Sequence, residues 1–235
     1  MKFEQYINDN IFENVALLME GVYDMSIFKV IFLAGGPGSG KSFVASKTTG
    51  GLGLKLVNSD ILFEIMAKQK NIDIKNFPDS EEEVRDITRT SAKDKTKNKL
   101  ELHLNNKLGI VVDGTGRHYS NIKKQKDKFE ALGYDTYMIF VNTSQEVALE
   151  RNANRARSVP EKFVKQAWND VQNNMGKFQT LFGASNFKII DNNEYTSDDS
   201  IFNTAWKEVM KFTKKPVSNH IAKAWIKNEL ERKKR

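Results

Sequence analysis

The run Gly35-Gly36-Pro37-Gly38-Ser39-Gly40-Lys41-Ser42 gathers residue types suited to one kind of chemistry. Glycines let a backbone turn its N–H groups inward and approach an anion closely. A lysine and a hydroxyl directly after the last glycine add an ammonium and a cation ligand. The spacing satisfies G-x-x-x-x-G-K-[ST], the loop that cradles nucleoside triphosphate phosphates. On this reading Gly36, Gly38, Ser39 and Gly40 form the cradle, Lys41 reaches the β- and γ-phosphates, and Ser42 ligates Mg²⁺. A glycine turn with no ligand would need neither Lys41 nor Ser42. ATP and Mg²⁺ are therefore the expected cofactors.

The cradle must be positioned by a strand before it and a helix after it. Phe28–Ala34 is a short apolar run bounded by glycine, which reads as a buried strand, and nothing after Ser42 breaks a helix. The helix N-terminus adds partial positive charge where the phosphates would lie. Three further acids or basic clusters follow strand-like runs. Lys55-Leu56-Val57 precedes Asn58-Ser59-Asp60, where one residue can cap a helix while another does chemistry. Ile110-Val111-Val112 ends in Asp113, placed like a Walker-B carboxylate that holds Mg²⁺ directly or through water, and Gly114-Thr115-Gly116-Arg117 follows. Asp135–Val141 is a fourth strand, followed by a helix from Gln145 that runs into Arg151, Arg155 and Arg157 before Pro160. Arginine forks match phosphoryl oxygens, although a basic surface turn accounts for such a run equally well.

The remaining elements carry less chemistry. Residues 3–20 have the spacing of an amphipathic helix, 84–107 that of one long basic helix, and Glu161–Met175 that of a third. The long helix is either a groove wall or a solvated face. Phe187–Ile190 reads as a fifth strand and Ser200–Phe212 as a closing helix broken by Pro216. Strands alternating with helices imply a doubly wound, mainly parallel five-stranded α/β sandwich with its site at the strands' C-terminal edge. The expected organisation is a domain over 1–215 and a basic helical extension over 216–235.

At 235 residues, 39% hydrophobic and 29% charged, the chain suits one well-buried domain. It has no cysteine, which excludes disulfide partners and thiol chemistry and suits a cytoplasmic setting. No apolar run approaches the ~20 residues of a membrane span. From Lys207 onward ten basic residues face three acidic ones, which accounts for the whole net charge of +7. Such a tail is either a nucleic-acid footprint or a solvated helix. The sequence assigns no oligomeric state.

The glycine loop, Asp60 after the second strand, D-G-T-G-R after the third and R-N-A-N-R-A-R-S-V-P after the fourth together resemble the P-loop kinases around polynucleotide 5′-kinase and the zeta toxins, over roughly residues 28–191. The resemblance implies an ATP-dependent transfer of the γ-phosphate to a hydroxyl of a nucleic acid or nucleotide, a modified base included. The zeta-toxin side implies a nucleotide-sugar acceptor instead. A reading from another class is a nucleotide-dependent binding module that only hydrolyses ATP. Asp60 matches the family's general base, with Asp113 the competing carboxylate. Arg151 and Arg155 match lid arginines, and Thr115, Arg117 and Arg157 match acceptor contacts. One departure stands out. Polynucleotide kinases carry an acceptor-binding arginine shortly after the base, where this chain has Phe63 and Glu64.

Overall fold

The computed structural model describes residues 21–74, 79–154, 159–193 and 200–234. The expected helix over 3–20 lies outside them, as do Arg155 and Arg157. β1 (Lys29–Ala34) passes through the glycine loop into α1 (Lys41–Thr49), and β2 (Lys55–Val57) into α2 (Ser59–Gln69). The long α3 (Glu82–Asn105), β3 (Ile110–Asp113), α4 (Tyr119–Ala131), β4 (Asp135–Asn142) and α5 (Gln145–Ala153) follow. Then come α6 (Glu161–Gln172), α7 (Met175–Phe182), β5 (Phe187–Asp191), α8 (Ser200–Lys214) and α9 (His220–Arg232).

All five strands are parallel, in the order β2-β3-β1-β4-β5. β1 is central and buried along its whole length. Its side chains alternate between the two faces, as a strand's period of two requires. Val30, Phe32 and Ala34 join a core with Ile122, Phe129, Phe178 and Phe182. Ile31 and Leu33 join one with Val44, Ala45, Phe202 and Val209 on the other side. A smaller cluster of Phe63, Ala67, Ile72 and Ala92 fastens α2 to α3. α3 is thereby joined to the site-bearing α2, and its exposed residues form the solvated side.

The expected single helix over Glu161–Met175 is two elements, α6 and α7, and α7 runs on to Phe182. Gly176 hides this short helix from a propensity reading. Tertiary burial of Phe178 and Phe182 holds it, at roughly 1.5–3 kcal/mol for each large apolar side chain.

The opposite end of β1 carries a buried ion pair. Lys29 is 1% exposed, and its Nζ donates to Asp135 Oδ2 at 2.8 Å while lying over the Phe212 ring. Asp135 also accepts from the Ser218 amide and hydroxyl at 2.9 and 2.6 Å. Those contacts tie down the start of α9. Asn219 donates to the Glu130 carbonyl, Ala222 is fully buried, and Trp225 meets Phe28 edge-on. The basic terminal helix is thus packed on the core, with Lys223, Lys227, Lys233 and Lys234 exposed. Burial pushes the Asp135 carboxyl up, but hydrogen bonds from Lys29 and Ser218 outweigh it and leave it below its ordinary value. Burial drives the Lys29 ammonium down against the pull of Asp135.

Asp135→Asn leaves Lys29 buried without its counter-charge and should cost about 3–5 kcal/mol in denaturant unfolding. Because its folded pKa is depressed, Asp135 contributes its full stability above the ordinary 3.8 and loses it as pH falls through the depressed value. Melting temperatures measured as pH falls from 3.8 through the depressed value should drop more steeply for the native chain than for Asp135→Asn.

Candidate active site

Parallel strands place all their C-terminal ends on one rim. Asn58–Asp60, Asp113–Arg117, the glycine loop, Asn142–Ser144 and Asp191–Asn193 therefore line up side by side in strand order. Open α/β sheets bind ligands at such a rim.

The glycine loop is wedged between α5 and the end of β5. Gly38 and Gly40 have φ of +79° and +81°, the left-handed region. A Cβ on Gly38 would lie 2.1 Å from the Ala148 carbonyl oxygen, and one on Gly40 would lie 2.4 Å from Asn192 Nδ2. Ser39 is 1% exposed; its carbonyl accepts from Asn192 Nδ2 at 2.8 Å, and its buried Oγ has no hydrogen-bond partner among the described residues. Lys41 Nζ donates to the carbonyls of Gly35 and Gly36 at 2.8 and 3.2 Å. A phosphate would offer this ammonium charged oxygens in place of neutral ones, a stronger bond. The buried Ser39 hydroxyl, the left-handed glycines and the N-terminus of α1 fit a polyphosphate.

Asp113 sits beside the point where the chain leaves β1, since Leu33 and Asp113 are register partners. Gly114 N donates to Leu33 O, and Gly35 N to Thr115 O, so the acidic loop is stitched to the glycine loop. Ser42, at the start of α1, and Asp113 are the residues that would hold Mg²⁺. Among the described residues no three His, Cys, Asp or Glu converge on a self-sufficient metal cage. Magnesium bound through one or two carboxylates and phosphate oxygens does not need one.

Asp60 lies in the first turn of α2 with its side chain 57% exposed. Asn58 is the cap: its Oδ1 accepts from Asp60 N and Ile61 N, and its Nδ2 donates to Asp113 Oδ2 at 2.5 Å. Arg89 Nη1 from α3 approaches Asp60 Oδ1 at 3.5 Å, and its guanidinium lies over the Phe63 ring at 4.6 Å. The position after Asp60 that lacks an arginine thus supports one delivered from another helix. Sequence reasoning missed Arg89, because only the packing of α3 on α2 distinguishes it from its basic neighbours.

Arg117 faces α6. Its Nε and Nη2 donate to Asp170 Oδ2 at 3.1 and 2.9 Å, and it covers the Phe163 ring. Thr115 is exposed. Asn174 holds the backbone of this loop by donating to the carbonyls of Gly116 and Arg117. Arg151, on α5, donates to the carbonyls of Asn192 and Asn193 at 2.6 and 3.3 Å. A Cβ on Gly40 would be 3.9 Å from its Nη1, so this guanidinium borders the cradle. The buried Asn152 clasps the backbone of Val159 in both directions, at 2.8 and 3.1 Å. That clasp ties the end of α5 to the start of the approach to α6.

The profile of the AAA domain family matches residues 30–178, from the first core strand to α7. The chain belongs to this AAA domain family. No curated protein matches its sequence. Among solved structures, a protein described as a kinase from Chloroflexus aurantiacus J-10-fl superposes with a TM-score of 0.54 at 14% identity, over 79% of this chain and 98% of that one. The PezAT chromosomal toxin-antitoxin system of Streptococcus pneumoniae gives 0.54 at 13% identity, over 92% and 98%. AvrRxo1-ORF1:-ORF2 with ATP gives 0.54 at 15%, over 73% and 59%. This AAA domain shares a P-loop kinase-like α/β fold with these structures. No described helix is long and apolar enough to cross a membrane.

Gly38→Ala and Gly51→Ala separate backbone strain from collision. Both glycines have positive φ, but a Cβ on Gly51 meets nothing within 4 Å. Gly51→Ala should lose only about 1–2 kcal/mol in thermal unfolding. Gly38→Ala should lose more than that, and titration calorimetry should show its Mg·ATP affinity down by at least tenfold.

Proposed function

We propose that this AAA domain is an ATP-dependent kinase that transfers the γ-phosphate to a hydroxyl of a nucleic acid or nucleotide. The carrying observation is the exposed Asp60 carboxylate, on the same rim as the glycine loop and separated from it by the Asp113 strand. Phosphoryl transfer needs in-line placement and neutralisation of spread charge, with little covalent work by the protein. The glycine loop and Lys41 hold the phosphates. Bound Mg²⁺ would neutralise phosphate charge from the side of Ser42 and Asp113. Arg151 borders the cradle, where a guanidinium can follow charge shifting onto the transferring group. Asp60 orients the acceptor hydroxyl and takes its proton at a carboxylate oxygen. Arg89, reaching Asp60 across Phe63, gives this side of the rim a cation for an acceptor that carries phosphate. Asp113 is less suited to be the base, because Asn58 already engages it beside the cradle. A cytoplasmic setting belongs to the same reading.

The basic tail has a separate part in this proposal. Lys215, Lys223, Lys227 and Lys234 line a groove of about 530 Å³ together with Asp24, Glu231 and the apolar Ile226 and Leu230, and its floor includes Lys29, which begins β1 and is already paired with Asp135. The glycine loop leaves β1 at its other end. Nucleic acid lying in the lysine groove would therefore not present its hydroxyl to Asp60 from there. A nucleotide-sugar acceptor is the second reading, favoured by the D-G-T-G-R loop and the likeness to PezAT.

Labelled ATP incubated separately with DNA, RNA and UDP-sugars should mark one acceptor class. Asp60→Asn should lower that transfer by about 10²–10⁴-fold with ATP affinity nearly unchanged. Label released to water with every acceptor would favour a nucleotide-hydrolysing module instead, and normal turnover by Asp60→Asn would remove Asp60 from the reaction.

A further inference from the structure

One side chain of the rim touches both the strand end that carries Asp113 and the helix turn that carries Asp60. Asn58 directly follows β2 in extended backbone, φ −146° and ψ 116°. The register pairs Val57 with Val112, so residue 58 falls beside residue 113. The amide divides its two functions between two elements. Its oxygen accepts from Asp60 N at 2.7 Å and Ile61 N at 3.3 Å, which satisfies two of the amides that a helix start leaves open. Its nitrogen donates to Asp113 Oδ2 at 2.5 Å.

Capping alone does not require this residue. Aspartate and serine cap as well as asparagine. Aspartate, however, would set a second carboxylate against Asp113, and serine is too short to span two strands. Asparagine is the short uncharged side chain with an acceptor and a donor on the same planar head.

We infer that Asn58 is a positioning residue that couples the Mg²⁺-facing carboxylate of Asp113 to the helix turn presenting Asp60. The inference rests on the kinase reading of the rim. Whatever draws on the Asp113 carboxylate is felt, through one rigid amide, at the backbone amide of Asp60. Groups that orient a metal-facing carboxylate commonly matter about 10–100-fold to metal affinity or activity.

Two variants separate this coupling from capping. Asn58→Ser keeps the cap and loses the bond to Asp113, whereas Asn58→Ala loses both. The measurement is calorimetric titration of the full chain with a non-hydrolysable ATP analogue across a Mg²⁺ series, alongside thermal melting. Asn58→Ser should melt close to the native chain and bind the analogue normally without Mg²⁺. It should need about tenfold more Mg²⁺ to reach the same enhancement of binding. Asn58→Ala should show the same Mg²⁺ shift together with a lower melting temperature. A native-like Mg²⁺ response in Asn58→Ser, with loss only in Asn58→Ala, would reduce Asn58 to a cap and overturn the inference. So would a native chain whose analogue binding ignores Mg²⁺. The titration involves neither acceptor nor transfer, so failure to find an acceptor, which would sink the kinase reading, leaves this result to be judged separately.

Discussion

A carbonyl oxygen fixes the centre of this molecule. A Cβ on Gly38 would collide with Ala148 O, so at this point of the loop only bare backbone can pass. Asn192 closes the other side against Gly40 and bonds the Ser39 carbonyl. The loop is therefore shaped by what surrounds it as much as by its own glycines. A loop held from outside in this way is ordered before any ligand arrives, which lowers the cost of ordering on binding. β1 anchors this arrangement, buried on both faces and flanked by parallel strands, and the acidic loop after β3 is bonded to it directly.

Electrostatic work is divided between the two ends of the sheet. At the C-terminal rim, charges are partly exposed and held by contacts that a ligand could replace: Lys41 on two carbonyls, and Arg89 at 3.5 Å from Asp60. At the opposite end, Lys29 and Asp135 are withdrawn from water and joined by Ser218, so the pair serves to lock α9 against the sheet. The surplus positive charge of the tail sits on exposed lysines around that lock. The same residue types thus make replaceable contacts at one end and permanent packing at the other, according to burial and partner.

The arginines illustrate how tertiary contacts assign roles. Arg151 borders the cradle because β5 ends in carbonyls that its fork can grip. Arg117 follows the acidic loop, yet Asp170 and Phe163 turn it toward α6. Arg89 reaches Asp60 because the Phe63 cluster packs α3 on α2, and the same ring then carries its guanidinium.

Local chemistry in the sequence by itself determined the cradle, the five strands and the acids that end two of them, although β2 and β5 prove only partly buried. These features rest on interactions a few residues long: glycine conformations, apolar runs bounded by breakers, and a cap next to a strand end. The short helix α7 escaped such a reading because Phe178 and Phe182, not local propensity, hold it in place. Only the tertiary structure decided that Asn58 bridges to Asp113, that Arg89 stands by Asp60, and that the basic tail belongs to the far end of the sheet. Each of these is a contact between residues distant along the chain. Strand order and helix packing set such contacts, and neither leaves a trace in residue spacing.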